Sequence, residues 1–211
     1  MKTSNISAFL LLFTMSFILR VVVVGVDHPN AVVFDEIHFG TFVNNLIKGE
    51  FFFDIHPPLA KLMLQQVARF NLYDGSFNFS IDDVPYYNET NGAKSNEMFY
   101  AKIRLLPAIL SSFISPFLCA TLLLRGVSLF NSVLAGILST LDCLTITQCR
   151  LIVTDGILYF FVALTIFITS FIEYRSKQKM FMKINKHILL VDLLLLIIQG
   201  IAAGCAFSTK F

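Results

Sequence analysis

Five long apolar stretches constrain the fold of this 211-residue chain more than any other feature. They cover residues 7–26, 103–124, 128–147, 151–172 and 188–207. A helix needs roughly 20 mostly apolar residues to cross about 30 Å of hydrocarbon. Only 14% of the residues are charged, against about 25% in an average soluble domain, which argues against a soluble or disordered chain. The pattern predicts an all-α polytopic membrane protein with about five spans.

The first stretch has a second interpretation as a cleaved signal peptide. Its apolar run is longer than a usual signal sequence, and no small-x-small cleavage site follows it. We therefore predict a retained first span.

The short loops predict how the spans are oriented. The link 173–187 carries five Lys and Arg residues against one Glu, and such loops lie in the cytosol. Counting back, the N-terminus is cytosolic and residues 27–102 form one long lumenal loop. The sequons at Asn78 and Asn88 suit a lumenal location.

The lumenal loop contains an amphipathic segment and one predicted helix. Residues 39–47 form an amphipathic segment that we expect to lie on the membrane surface. Pro57-Pro58 precedes a predicted helix over residues 59–70, because proline is well tolerated in a first helical turn.

Other features of the sequence argue against a disulfide framework, a nucleic-acid partner and a metal site. Four cysteines in a chain of this length do not form a disulfide framework. A formal net charge of +2 gives no reason to expect nucleic acid as a partner. No second His, Cys or acid stands at zinc-ligand spacing from His56, so we predict no metal and no cofactor.

Asp35 and Glu36 are adjacent carboxylates within the segment Val-Val-Phe-Asp-Glu-Ile-His-Phe-Gly, residues 32–40. Bulky apolar neighbours beside a bilayer are expected to desolvate them partly. A general base must be tuned in this way and must reach the proton that it removes. The alternative is a hydrated acidic pair at the end of a membrane helix.

The segment Phe-Phe-Phe-Asp-Ile-His-Pro-Pro-Leu-Ala-Lys, residues 51–61, places three phenylalanines before a His-Pro-Pro turn. The phenylalanines indicate an interfacial anchor that fixes the imidazole of His56 at headgroup depth. There the imidazole can bind phosphate or hold a carboxylate. The alternative is a structural histidine that is hydrogen-bonded to the backbone.

Ionisable residues within or beside the spans form a third group. They are Arg20, Arg104, Asp142, Arg150, Asp155 and Asp192. Such groups are costly in lipid and are functional candidates by default. The predicted topology places four of them, Arg104, Asp142, Arg150 and Asp155, at the depth of the acidic pair, and Asp192 near the cytosolic side. Structural pairing, for example of Arg150 with either aspartate, is the alternative.

With these residues in view, the sequence resembles the protein O-mannosyltransferases, which use dolichyl phosphate mannose in the endoplasmic reticulum. The match runs in order through residues 32–40, 51–61, 100–104, 142–155 and 208–210. It covers nearly the whole chain. Several ordered matches of this length are far more specific than a single short motif.

The resemblance implies a transmembrane bundle of the C-type glycosyltransferase fold in the endoplasmic reticulum membrane, with its catalytic loop lumenal. Family members transfer mannose from dolichyl phosphate mannose to Ser or Thr hydroxyls of secretory proteins, inverting the anomeric centre. They commonly form homodimers or heterodimers within the family. The implied partners are thus the lipid-linked donor, acceptor polypeptides, membrane lipid and a family member.

The resemblance also implies roles for individual residues. Asp35 resembles the base that takes the acceptor proton, and Glu36 would help to orient the acceptor or its neighbours. Arg104 and Arg20 would lie near the donor phosphate or the acids. His56 and Arg150 belong to matching segments and are further candidates for substrate binding.

Family members are several times longer and carry a lumenal domain of MIR repeats, which this sequence lacks. We therefore expect residues 1–211 to correspond to the N-terminal transmembrane part of such an enzyme. One alternative is a non-catalytic or truncated membrane subunit that partners a catalytic relative. Another is a small transporter, which predicts facing charges at mid-bilayer depth.

Overall fold

A computed structural model describes residues 3–79, 99–179 and 186–210. Nine α-helices form within this part of the chain. They are α1 (Thr3–Phe17), α2 (Glu36–Lys48), α3 (Leu59–Phe70), α4 (Phe99–Ser111), α5 (Ile114–Leu124), α6 (Leu129–Thr140), α7 (Cys143–Gln148), α8 (Asp155–Lys179) and α9 (Lys186–Lys210). The Asn88 sequon and Ser80 of the Asn78 sequon lie outside the described residues.

Four helical segments in the described part are long and apolar enough to cross a membrane. They are Thr3–Val23, Phe99–Leu124, Asp155–Gln178 and Leu189–Lys210. The first consists of α1 continued by a π-helical segment, Ile18–Val23. The second consists of α4 and α5, which a short break at residues 112–113 separates. This architecture confirms the predicted all-α membrane fold.

The predicted third span, residues 128–147, differs from the structure because it is divided into α6 and α7. α6 has 12 residues, which at about 1.5 Å per residue is too short to cross hydrocarbon alone. The division occurs at Asp142, whose backbone is extended and whose Oδ2 accepts a hydrogen bond from Thr145 N at 2.9 Å. An aspartate at this position is an N-cap that starts a new helix.

The two helices between the first and second spans lie at one end of the bundle, which we call the loop side. α3 has the bounds predicted from its sequence, and α2 extends the predicted amphipathic segment by three residues at its start and one at its end. α3 packs against α2, α4 and α9. Phe39, Val43 and Leu64 of this pair are buried in the core, together with residues around Ile152.

The segment that precedes α8 also lies on the loop side. The predicted fourth span begins at residue 151, whereas α8 begins at Asp155. Residues 149–154 are mostly buried and irregular, and the amide of Ile152 donates to the side chain of Glu36 at 2.8 Å. This hydrogen bond brings the segment to the acidic pair.

Candidate functional site

Asp35 and Glu36 lie where α2 begins, and a tight turn separates their side chains. Phe34 has a positive φ of 54°, which is uncommon for a bulky residue. Asp35 follows as the N-cap residue, with φ −68° and ψ 0°. The turn directs the two carboxylates into different surroundings, since Glu36 is fully buried and Asp35 is half-buried.

Glu36 forms a buried, bidentate ion pair with Arg104 of α4. Arg104 Nε donates to Oε1 at 2.7 Å, and Nη2 donates to Oε2 at 2.6 Å. Both side chains are fully inaccessible to solvent. A pair in this environment is held firmly, because separating it would leave a charge without compensation.

Three backbone carbonyls take the remaining donors of Arg104. Nη1 donates to Val26 at 3.2 Å and to Pro29 at 2.8 Å, and Nη2 also donates to Ala31 at 3.1 Å. A guanidinium has five N–H groups, so these bonds and the two to Glu36 occupy all of them. Arg104 thus fixes the course of residues 26–36, and in this structure it offers no N–H group to a donor phosphate.

The oxygens of Glu36 accept two further hydrogen bonds from backbone amides. Ile152 N donates to Oε1, and Val33 N donates to Oε2 at 3.2 Å. The carboxylate therefore joins α4, the start of α2 and the segment before α8. These hydrogen bonds fix the position of the Glu36 side chain.

Arg150 lies on the same side and binds the end of the first span. Its Nη1 donates to the carbonyl of Gly25 at 2.7 Å and to that of His28. Its Nε is buried and has no partner among the described residues. The alternative of a structural pair between Arg150 and Asp142 or Asp155 is not what the structure shows, because backbone carbonyls accept the hydrogen bonds of Arg150.

Asp35 differs from its neighbour because its carboxylate makes no hydrogen bond or ion pair within the described residues. Its backbone carbonyl accepts from the amides of His38 and Phe39, which fixes the residue at the start of α2. A half-buried carboxylate on a fixed backbone can accept a proton from a substrate.

Arg20 is fully buried in the first span and is separate from the Glu36–Arg104 pair. Its Nη1 donates to the hydroxyl and the carbonyl of Ser16, and its Nη2 donates to Thr145 Oγ1 at 3.2 Å. Its Nε is buried without a partner. Thr145 also lines an apolar groove of about 330 Å³ between α5, α7 and α8. Arg20 therefore donates a hydrogen bond to a residue that lines this groove.

His56 lies in a separate cluster with Asp54 and Lys61. His56 Nδ1 lies 3.1 Å from Asp54 Oδ1, while Lys61 Nζ donates to Asp54 Oδ2 and to the His56 carbonyl at 2.6 Å. Burial raises the pKa of Asp54, but hydrogen bonds from Lys61 and His56 outweigh it and hold that pKa below its usual value. The cluster closes the turn before α3.

The remaining intramembrane acids each have a hydrogen-bond partner within the described residues. Asp142 caps α7, Asp155 accepts from Lys210 Nζ at 2.7 Å, and Asp192 accepts from Arg175 at 3.4 Å at the opposite end of the bundle. The sequence analysis missed Lys61 and Lys210 as partners. Lys61 is the last residue of segment 51–61, and Lys210 is the last residue of segment 208–210. Both segments match the family pattern, and this match was the only sequence signal for the two lysines.

The described residues contain no group of three or more His, Cys, Asp or Glu side chains arranged to hold a metal ion. The chemistry that they offer is a proton-accepting carboxylate beside a fixed carboxylate–guanidinium pair. Arg20 and Arg150 each keep one buried N–H group without a partner among these residues.

Comparisons with known proteins identify the family that this sequence matches. The family model described as dolichyl-phosphate-mannose-protein mannosyltransferase matches residues 10–211. The chain is 37% identical over 153 residues to the Schizosaccharomyces pombe dolichyl-phosphate-mannose–protein mannosyltransferase 4, covering 72% of this chain and 18% of that protein. It is 34% identical over 183 residues to the Candida albicans protein of the same name, covering 87% and 22%.

A solved structure agrees with the sequence matches. The Saccharomyces cerevisiae protein O-mannosyltransferase Pmt1-Pmt2 complex bound to the sugar donor contains a chain that superposes with a TM-score of 0.80 at 28% identity. The alignment covers 100% of this chain and 26% of that one. The chain thus spans about a quarter or less of the length of the relatives that it matches. It belongs to the dolichyl-phosphate-mannose–protein mannosyltransferase family.

Proposed function

We propose that this chain forms the base-bearing part of an enzyme that transfers mannose from dolichyl phosphate mannose to Ser or Thr hydroxyls of secretory proteins. The observation that carries the proposal is the contrast between the two adjacent acids. Glu36 is fully paired with Arg104, whereas the carboxylate of Asp35 has no hydrogen-bond partner within the described residues. The names of the relatives support the donor and the protein acceptor.

In this proposal Asp35 is the general base. The acceptor is a neutral hydroxyl, and removing its proton as the glycosidic bond forms lowers the barrier. The hydroxyl attacks the anomeric carbon from the face opposite the phosphate, so the anomeric centre inverts and the leaving group departs as dolichyl phosphate. Glu36 and Arg104 act as positioning residues, because they fix the backbone on which Asp35 stands.

The leaving phosphate needs a cation. Arginine suits this role in a partly dry site, since its guanidinium stays protonated and binds phosphate oxygens in a fork. Arg104 is fully occupied by protein acceptors, so its predicted phosphate contact is not part of the proposal. Arg20 and Arg150 are the remaining candidates, because their hydrogen bonds within the described residues go to hydroxyls and carbonyls and not to a carboxylate. His56 lies on the same side of the molecule, in the cluster with Asp54 and Lys61.

We further propose that the chain lies in the endoplasmic reticulum membrane with its loop side in the lumen, and that it pairs with a family member. The lumenal orientation is supported by the basic link 173–187. Pairing is supported by a relative whose solved structure is a Pmt1-Pmt2 complex.

The test is mannosyl transfer to a Ser/Thr peptide by membranes that contain the whole chain, with dolichyl phosphate mannose as donor. Asp35→Asn is expected to abolish transfer, and the control Asp27→Asn, a partly exposed acid in the same loop, is expected to retain it. Full activity of Asp35→Asn would contradict the base role. Transfer that requires a co-expressed relative, and is unaffected by Asp35→Asn, would favour the non-catalytic subunit.

A further inference from the structure

Residues 51–56 form an irregular segment whose side chains alternate between exposed and partly buried. Phe51, Phe53 and Ile55 point outward, with 94%, 81% and 83% of their surfaces exposed. The side chains between them turn inward and are partly buried.

Contacts on the inward face hold this orientation. The ring of Phe52 stacks on Phe42 of α2, with centroids 4.7 Å apart. Asp54 is bound by Lys61, and the ring of His56 lies 5.8 Å from that of Phe39. The three outward side chains are therefore presented by a fixed segment.

The segment lies at the level where the membrane spans end. Lys61 belongs to the first turn of α3, and α3 packs against α4 and α9, which are parts of two spans. The outward surface of α9 stays apolar almost to its loop-side end, where Phe207 is 66% exposed. An apolar surface beside the ends of spans can contact lipid, and large exposed apolar patches mark such contacts.

We propose that Phe51, Phe53 and Ile55 insert into the membrane leaflet on the loop side, and that the lipid surface is the partner that covers them. This revises the sequence-based interpretation of three anchoring phenylalanines, because Phe52 faces the protein and Ile55 takes its place. The opposite face of the segment contacts Phe39 and Phe42 in the first two turns of α2, the helix that begins beside Asp35. Lipid contact thereby sets the height of α2 at the membrane. The proposal does not depend on mannosyl transfer.

The absence of tryptophan from the sequence gives a clean test. Phe53→Trp introduces a single tryptophan into the 211-residue chain, which is reconstituted in phosphatidylcholine vesicles. Lipids brominated at known positions along the acyl chain quench tryptophan that lies at the same depth. Ile55→Trp provides a second outward position, and Phe52→Trp is the matched inward control.

We expect lipids brominated near the headgroup end of the acyl chain to quench Phe53→Trp and Ile55→Trp severalfold more strongly than Phe52→Trp. Aqueous iodide should have little effect on either outward position. Strong quenching by iodide would place the segment in water and overturn the proposal. Protection from both quenchers would show that protein covers the patch, and would overturn it equally.

Discussion

At the scale of single residues, the site depends on two neighbouring carboxylates that do different things. The oxygens of Glu36 accept four hydrogen bonds, two from Arg104 and two from backbone amides. Asp35, one residue earlier, is half-buried and its side chain does not cap α2. A carboxylate with four hydrogen bonds and one whose side chain has no such partner within the described residues are thus adjacent in the sequence.

This difference predicts that substitutions of the two acids have different effects on the stability of the fold. Glu36→Gln leaves the buried guanidinium of Arg104 without its counter-charge, and breaking a buried pair costs about 3–5 kcal/mol. We expect a clearly lower thermal unfolding temperature for Glu36→Gln in detergent. Asp35→Asn should unfold at the temperature of the wild-type chain. Equal unfolding temperatures for the two variants would contradict the stabilising role of the Glu36–Arg104 pair.

The sequence identifies the acidic pair but does not reveal which acid is paired. Both carboxylates belong to one short motif, whereas the partner Arg104 lies 68 residues further along the chain. The family resemblance implied that Arg104 lies near the donor phosphate or the acids, and the structure places it on Glu36. The sequence does not show that carbonyls of residues 26–31 bind its other N–H groups.

At the scale of helices, close contact between α4 and α8 brings the Ile152 amide to Glu36. A Cβ atom added to Gly156, in the first turn of α8, would lie 2.9 Å from Pro107 Cβ and 3.0 Å from the carbonyls of Pro107 and Cys149. Backbone and a proline ring cannot give way as a flexible side chain can. The packing here requires glycine.

Gly156→Ala is therefore expected to lower the unfolding temperature and to reduce transfer, because α8 must move away from α4. Gly200→Ala in α9 is the matched control, since a Cβ atom there meets nothing within 4 Å. It should be neutral or slightly stabilising. Thermal unfolding and transfer measured on both variants test this, and equal behaviour would show that the α4–α8 contact tolerates a side chain.

The cluster of Asp54, His56 and Lys61 predicts that the stability of the fold depends on pH. The lowered pKa of Asp54 means that its ionised form stabilises the fold above the ordinary carboxyl pKa of about 3.9, and that this contribution is lost as the pH falls through the lower, folded-state pKa. The unfolding temperature of the wild-type chain should exceed that of Asp54→Asn at neutral pH. The difference should disappear in strong acid, and a constant difference would contradict the ion pair.

Local signals explain which helices were predictable. The bounds of α3 follow from Pro57-Pro58 and the apolar spacing behind them, all within one short segment. The break between α6 and α7 was missed because Asp142 stands in a run apolar enough to be read as one span. Its capping bond to Thr145 outweighed the continuous hydrophobicity.

At the scale of the whole molecule, distant parts of the chain meet on the loop side. Arg104 and Arg150 hold the carbonyls after the first span, and Ile152 reaches Glu36. Apolar stretches and basic loops predicted the depth of these residues. They did not predict the pairing, which depends on how the helices pack.

The orientation across the membrane is a prediction of the same scale. We expect residues 27–102 to be lumenal, so protease added to sealed microsomes should spare this loop and cleave within the basic link 173–187. Cleavage of the loop without detergent would reverse the topology. It would also place Asp35 on the side opposite to the secretory acceptors.

The measurement that tests the central claim most directly compares donor binding and mannosyl transfer for the Asp35→Asn chain in the same membranes. A general base acts on the acceptor proton and leaves the donor site intact. The account predicts that dolichyl phosphate mannose still binds with the affinity of the wild-type chain, while transfer to the peptide is lost. Undiminished transfer, or a loss of donor binding as large as the loss of transfer, would contradict it.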